Sequence, residues 1–206
     1  KDFGVGTAYT LIPVKGLYLM DRKSKGKYHR LVYPVPPDKG SILVGVHTTL
    51  THTDEIKLGP TGMPGFWREH YPGFKNFKFA EFVEILFQYA RFGLSPSGFE
   101  YIKILFDELK KQDKKVLIKD AQRLVHLFEE PEKLETLSKK AIDERFEWGK
   151  VGILSQLLNM NTKEFLLDFL IEEKENSIHL LNIVSPGWTS ALSLAEEVSE
   201  RALKLL

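Results

Sequence analysis

The hydrophobic period changes three times along the chain, and that constrains the fold more than any other feature. Between residues 7 and 60 apolar side chains come in short blocks bounded by Pro and Gly, as in strands. From 63 to 146 they recur at three- and four-residue spacing, the period of helices. Strand character returns over 150–185, and 188–205 reads as one further helix. Strands, helices, strands and a final helix predict an α+β fold, with a largely antiparallel sheet covered on one face by a helical block and closed by a C-terminal helix. With 206 residues and 43% hydrophobic side chains the chain can bury its own core, so a single domain over 1–206 is expected.

Within the first block, Tyr9 to Val14 is rich in β-branched and aromatic residues, and Lys15-Gly16 reads as a bend before Leu17 to Met20. Gly26 suits a hairpin tip, His29 to Tyr33 a returning strand, and Pro34 to Pro37 its end. Ile42 to Thr49 reads as a central strand buried on both faces, with Gly45 marking a close approach by another backbone or a flat ligand. Glu55 to Leu58 is its expected hairpin partner. In the helical block Phe79, Phe82, Val83, Leu86 and Phe87 form one apolar stripe, and Ser97-Gly98-Phe99-Glu100 has the form of a capping box. Val116 to Val125 is amphipathic, and Pro131 opens a short helix. Phe165 to Ile171 and Ser177 to Val184 are the last strands, joined by a polar turn.

Composition excludes several function classes. The formal charge of +1 offers no electrostatic footprint for nucleic acid, and no uncharged apolar run is long enough for a spanning helix. The absence of Cys excludes thiol catalysis, cysteine metal sites and disulfides, and leans toward a reducing, cytoplasmic setting, with peripheral attachment to a membrane left open. Gly4-Val5-Gly6-Thr7-Ala8-Tyr9 is not a dinucleotide fingerprint, because Tyr9 replaces the third Gly and a strand follows it. Gly59 to Gly65 lacks the Lys-Ser/Thr of a phosphate loop and reads as a rigid connecting loop. His47 and His52 are five apart, which on a strand puts them on opposite faces, so no metal site is expected.

One local arrangement has chemical potential. A strand ends at Val184, Ser185-Pro186-Gly187 turns, and a helix is expected to begin at once. The N–H groups of Gly187, Trp188, Thr189 and Ser190 would then be free to meet an anionic or electron-accepting group, helped by roughly half a positive charge from the dipole. An ordinary helix start is the competing explanation.

Several segments in order resemble the catalytic half of FAD-dependent oxidoreductases of the D-amino-acid oxidase and glycine oxidase superfamily, within it the L-2-hydroxyglutarate oxidase/dehydrogenase-like branch. They are Ile12 to Tyr18, Leu31 to Pro36, Leu43 to Thr49, Leu58-Gly59-Pro60, Trp67 to Tyr71, Val151 to Leu157, Asp168-Phe169 and His179 to Ala191. The resemblance covers roughly residues 8 to 72 and 120 to 200. It implies that FAD is the cofactor and a small molecule the substrate. It also implies that a Rossmann-type half holding the ADP portion belongs to the same protein and lies outside this chain, which the opening Lys1-Asp2-Phe3-Gly4 fits. This half by itself is expected to retain FAD poorly and to be inactive.

On the same basis Ser185, Pro186, Gly187, Trp188 and Thr189 become candidate contacts to the flavin's pyrimidine edge, with Gly45 where the flat ring approaches. The implied reaction is oxidation of a small 2-hydroxy acid to a 2-oxo acid. His47 is the candidate base, since imidazole titrates near neutrality, against the alternative of a structural His on a sheet. Lys15, Tyr18, Tyr33, Gly152 and Ile153 are candidate substrate contacts, although bend lysines and strand aromatics also serve packing alone. The family pattern places a carboxylate-binding Arg after Gly152-Ile153, and this chain has Leu154 there, which has no cationic fork. Either Lys15, His47 or Arg68 takes that role, or the substrate differs. An amine or amino-acid substrate and a non-catalytic scaffold therefore stand as alternatives.

Overall fold

The structure, a computed structural model, describes residues 3–35, 45–128 and 133–205. In chain order its elements are β1 (Tyr9–Asp21), β2 (His47–Leu50), β3 (Ile56–Pro64), α1 (Phe79–Gly93), α2 (Pro96–Lys110), α3 (Lys114–Gln122), α4 (Lys133–Thr136) and α5 (Lys139–Arg145). They continue with β4 (Phe146–Trp148), β5 (Gly152–Asn159), β6 (Glu164–Phe165), β7 (Leu170–Lys174), β8 (Ser177–Asn182) and α6 (Ala191–Lys204). The pairings β1–β3, β1–β4, β2–β3, β5–β6 and β7–β8 are antiparallel, so the fold class is α+β as the periodicity requires. The chain divides into two compact units, Pro13–Ser155 and Lys1–Ile12 with Gln156–Leu206.

In the unit Pro13–Ser155, β3 pairs with β2 on one side and β1 on the other, and β4 pairs with the end of β1. Leu19, Ile56 and Leu58 point to one face and form the core with Leu117, Ile118 and Ala121 of α3, Ile142 of α5 and Phe146 of β4. The spacing Leu117, Ile118, Ala121 places all three on one side of α3, matching the amphipathic reading of Val116 to Val125.

Several expectations change. No bend forms at Lys15-Gly16, because β1 is continuous and takes up its irregularity as a register shift between Leu17 and Leu19. Gly16 serves a close approach instead: a Cβ there would lie 3.3 Å from the Pro60 ring. Gly59 to Gly65 is not a loop, since β3 runs through Pro64 and pairs with β1 across it. Its Pro60 lies beside the register shift, where a missing N–H breaks no ladder bond. His29 to Tyr33 contributes one bridge, Val32 to Thr48, rather than a strand. The central strand expected over Ile42 to Thr49 is a four-residue edge strand beginning at His47, and residues 42–44 lie outside the described residues. Gly45 has φ +85, which takes it out of extended pairing.

The helical block begins at Phe79, and the helix expected at Pro131 has its first residues outside the described ones. α2 is capped by Ser95 rather than Ser97: the Ser95 hydroxyl accepts from the Gly98 N–H at 3.1 Å, and Pro96 opens the helix with its preset φ. The stripe of α1 faces away from the core. Phe79, Val83, Leu86 and Phe87 are exposed, while Ile85 and Phe92 are buried.

In the other unit, β5 pairs with β6 and β7 with β8. The strand expected over Phe165 to Ile171 breaks after Phe165, and the break's carbonyls bind side-chain amides. Asn182 donates to Leu166 and Asp168, and Gln156 to Leu166. The last helix starts at Ala191, three residues later than expected, because the turn before it makes its own hydrogen bonds.

Candidate functional site

The register decides which side chains share the face opposite the core of the unit Pro13–Ser155. On β3, Ile56 and Leu58 are fully buried and turn inward, so the alternate residues Lys57 and Gly59 turn outward. Gly59 pairs with His47 and Lys57 with Thr49, which carries His47 to the same outer face. From β1, Gly16 and Tyr18 reach that face, with the Tyr18 ring 3.9 Å from where a Gly16 Cβ would stand.

Three rings meet there. His47 stacks on Tyr33 at 4.4 Å between centroids, and the Tyr18 ring stands 6.5 Å from His47 at 71° to it. The Lys57 ammonium lies 4.3 Å from the centre of the Tyr18 ring, a cation–π contact. His47 Nδ1 is 3.2 Å from the Gly45 carbonyl. A carbonyl only accepts, so Nδ1 carries the proton and Nε2 keeps its lone pair. Burial holds the His47 pKa below that of a free imidazole, and the Lys57 charge pushes the same way, against the opposing Gly45 hydrogen bond. The Tyr18 hydroxyl is pushed up by burial and by Tyr33. A half-buried neutral imidazole whose second nitrogen has no partner among the described residues, beside two tyrosines and an ammonium, can take a proton from a hydroxyl and attract an anion.

The floor of this face carries few side chains. Gly16 pairs with Gly62, the Gly152 carbonyl is 4.0 Å from a Gly16 Cβ position, and a Cβ on Gly152 would meet nothing within 4 Å. Ile153 is half-buried and Leu154 is exposed, an alkyl side chain that brings no charge to this strand.

Lys15 is not brought to His47. It pairs with Met63 and alternates to the face opposite Gly16. Its electrostatic neighbour is His70, whose pKa is lowered to about 4 by burial and by the Lys15 charge. His70 Nδ1 accepts the Phe66 N–H at 3.1 Å, and its ring stacks on Trp67 at 3.5 Å. Arg68 is engaged by Glu81 and Glu84 at 3.5 and 3.1 Å.

In the other unit the turn Ser185 to Thr189 is partly self-satisfied. The Gly187 N–H donates to Val184 O at 2.6 Å and the Ser190 N–H to Pro186 O at 3.0 Å, so two of the four expected donors are used. The N–H groups of Trp188 and Thr189 have no partner among the described residues. Trp188 is 94% exposed. Gly187 is required by packing, since a Cβ would stand 2.6 Å from Ile183 Cγ2.

Sequence reasoning missed Lys57 and His70. The alternation Ile56-Lys57-Leu58 was the available signal for Lys57, because two inward aliphatics force the residue between them outward. Among the described residues no group of three or more His, Asp or Glu is placed to hold a metal ion, and no helix is long and apolar enough to cross a membrane.

No family model matches the chain. Its sequence is similar to that of L-2-hydroxyglutarate dehydrogenase from Indibacter alkaliphilus, 31% identical over 196 residues, which are 94% of this chain and 44% of that protein. The Escherichia coli K12 enzyme of the same name is 25% identical over 211 residues, 100% of this chain and 45% of the relative. The mitochondrial L-2-hydroxyglutarate dehydrogenase of Dictyostelium discoideum is 24% identical over 200 residues, 94% and 40% respectively. The chain thus spans less than half the length of these curated relatives.

Proposed function

We propose that this chain is the substrate-side portion of an FAD-dependent dehydrogenase that oxidises 2-hydroxyglutarate to its 2-oxo acid. The similarity to L-2-hydroxyglutarate dehydrogenases supports the reaction class, and one geometric observation carries the reading to a residue. That observation is His47 itself, with Nδ1 tied to Gly45, its ring beside those of Tyr18 and Tyr33, and no partner for Nε2 among the described residues. A neutral imidazole fixed in this tautomer is suited to remove the proton of a substrate hydroxyl as the neighbouring C–H bond gives up its electron pair.

Features of each unit fit a flavin. In the unit Pro13–Ser155 a Cβ on Gly152 would meet nothing within 4 Å, which leaves room at the start of β5 for a planar ring. In the other unit the unpartnered N–H groups of Trp188 and Thr189, on the exposed turn from Ser185, suit the electron-rich rim of such a ring. When bound, FAD would supply the two-electron acceptor for the hydride of the substrate carbon. His47 takes the hydroxyl proton at Nε2, the C–O bond becomes a carbonyl, and Tyr18 and Tyr33 hold the imidazole in line and exclude water. A separate FAD-binding half of the same protein, in a cytoplasmic setting, completes the proposed enzyme.

The exposed Leu154 at the carboxylate-binding position favours a second reading, a relative that keeps the fold without turnover. Anaerobic mixing of the flavin-loaded holoprotein with L-2-hydroxyglutarate separates the two. Bleaching of flavin absorbance supports the oxidoreductase; no bleaching with any 2-hydroxy or amino acid refutes it in favour of the scaffold. His47→Asn should slow flavin reduction about 100-fold or more while leaving substrate Kd nearly unchanged. An unchanged rate would remove His47 as the base.

A further inference from the structure

We propose that Lys57 sets specificity for a dicarboxylate: its ammonium, held over the Tyr18 ring, receives the carboxylate remote from the reacting hydroxyl. This rests on the proposed function in taking the ligand to be an acid whose hydroxyl meets His47.

Leu154 supplies no charge, Arg68 is occupied by Glu81 and Glu84, and Lys15 lies on the opposite face of the sheet. Lys57 shares the outer face with His47, through the pairs His47–Gly59 and Thr49–Lys57. Among the described residues no carboxylate pairs with it. The Tyr18 ring holds its Nζ at 4.3 Å, and the face of an aromatic ring attracts an ammonium without using its N–H donors. An ammonium held in place, its donors without a partner among the described residues, is prepared for a carboxylate.

Position selects which carboxylate. Lys57 Nζ lies over the Tyr18 ring, 4.3 Å from its centre, and the His47 ring stands 6.5 Å from the same centre at a steep angle, so base and cation occupy separate places about one ring. In a 2-hydroxy monocarboxylate the only charge is the carboxylate bonded to the hydroxyl-bearing carbon, which stays beside His47 when the hydroxyl meets that base. A five-carbon diacid places its second carboxylate several bonds away and can span both. Lys57 therefore discriminates by chain length and terminal charge, and the proton transfer is left to His47.

The test uses ligands that cannot react, so that it does not depend on turnover. In the flavin-loaded holoprotein, glutarate and pentanoate differ only in the terminal carboxylate, and neither has a hydroxyl to oxidise. Titration calorimetry should show glutarate bound about 10- to 100-fold more tightly than pentanoate, the range of one charge-assisted hydrogen bond. Lys57→Met should abolish that preference and leave pentanoate affinity unchanged, which also reports an intact site, while Lys57→Arg should keep most of it. Preference that survives in Lys57→Met, or none in the wild type, overturns the inference. In turnover above about pH 8, clear of the His47 limb, Lys57→Met should raise KM for 2-hydroxyglutarate at least about 10-fold more than KM for 2-hydroxypentanoate; an equal loss for both substrates would indicate a structural role and overturn it. Lys57-dependent glutarate binding without flavin bleaching by 2-hydroxyglutarate would support the subsite and refute the oxidation.

Discussion

Arg145→Met should unfold this protein more readily than any surface change, because it leaves a carboxylate buried without its cation. Asp21, at the end of β1, is completely buried. Arg145 Nε and Nη2 donate to its two oxygens at 2.9 and 2.6 Å, and Nη2 also donates to Leu127 O at 2.7 Å. The guanidinium lies 4.4 Å from the Phe128 ring centre and 4.9 Å from that of Phe146. After truncation Asp21 keeps the Lys23 N–H at 2.9 Å but loses its counter-charge, and Leu127 O loses a donor. Breaking a buried pair from one side costs about 3–5 kcal/mol. At about 2–4 °C per kcal/mol for a chain of this size, Tm should fall by about 6–20 °C. The same pair fixes the end of β1 against β3 and β4, so the register that sets Tyr18 beside Lys57 depends on it. Urea unfolding followed by tryptophan fluorescence checks this, since Trp148 pairs with Leu19 two residues from Asp21. The double variant Asp21→Leu with Arg145→Met should recover most of the loss, because no buried charge remains. A single-variant cost below about 1 kcal/mol, the range of an exposed pair, would refute the reasoning.

Acid should weaken the unit holding His70. Its folded pKa of about 4 lies below the ordinary 6.5, so the unfolded chain takes the proton first. The stabilisation is complete above pH 6.5 and is lost as pH falls through about 4. His70→Asn, which can still accept the Phe66 N–H, should flatten the dependence of the urea midpoint over that window, and an unchanged slope would count against the assignment. For His47, also held below 6.5, the acid limb of kcat/KM should lie below the ordinary imidazole range. With Tyr18, Tyr33 and Lys57 around it, Lys57→Met should move that limb upward, and a limb that stays in place would separate the two residues. Gly187→Ala should cost about 1–3 kcal/mol from the clash with Ile183 and Val184 even without cofactor, read as a lower urea midpoint. No change would mean the turn yields freely.

The sequence by itself determined what depends on local pattern. The switch of period at about residue 63 and back at 150 located strands and helices, and Leu117, Ile118 and Ala121 are buried as their spacing demands. His47, Tyr18 and Tyr33 were legible as candidates, and they do meet. Tertiary structure decided everything that depends on a partner. Apolar spacing on α1 defines a stripe but not what lies against it, so Phe79 to Phe87 could not be told from a core face. Pro60 and Gly62 read as loop residues because a missing N–H or side chain matters only where a neighbour pairs, and β1 pairs there with a shifted register. The same register carried Lys15 away from His47 and brought Lys57 to it. In a sheet each residue's face is set by parity along its strand, and its neighbours are set by strands distant in sequence, which only the folded chain aligns.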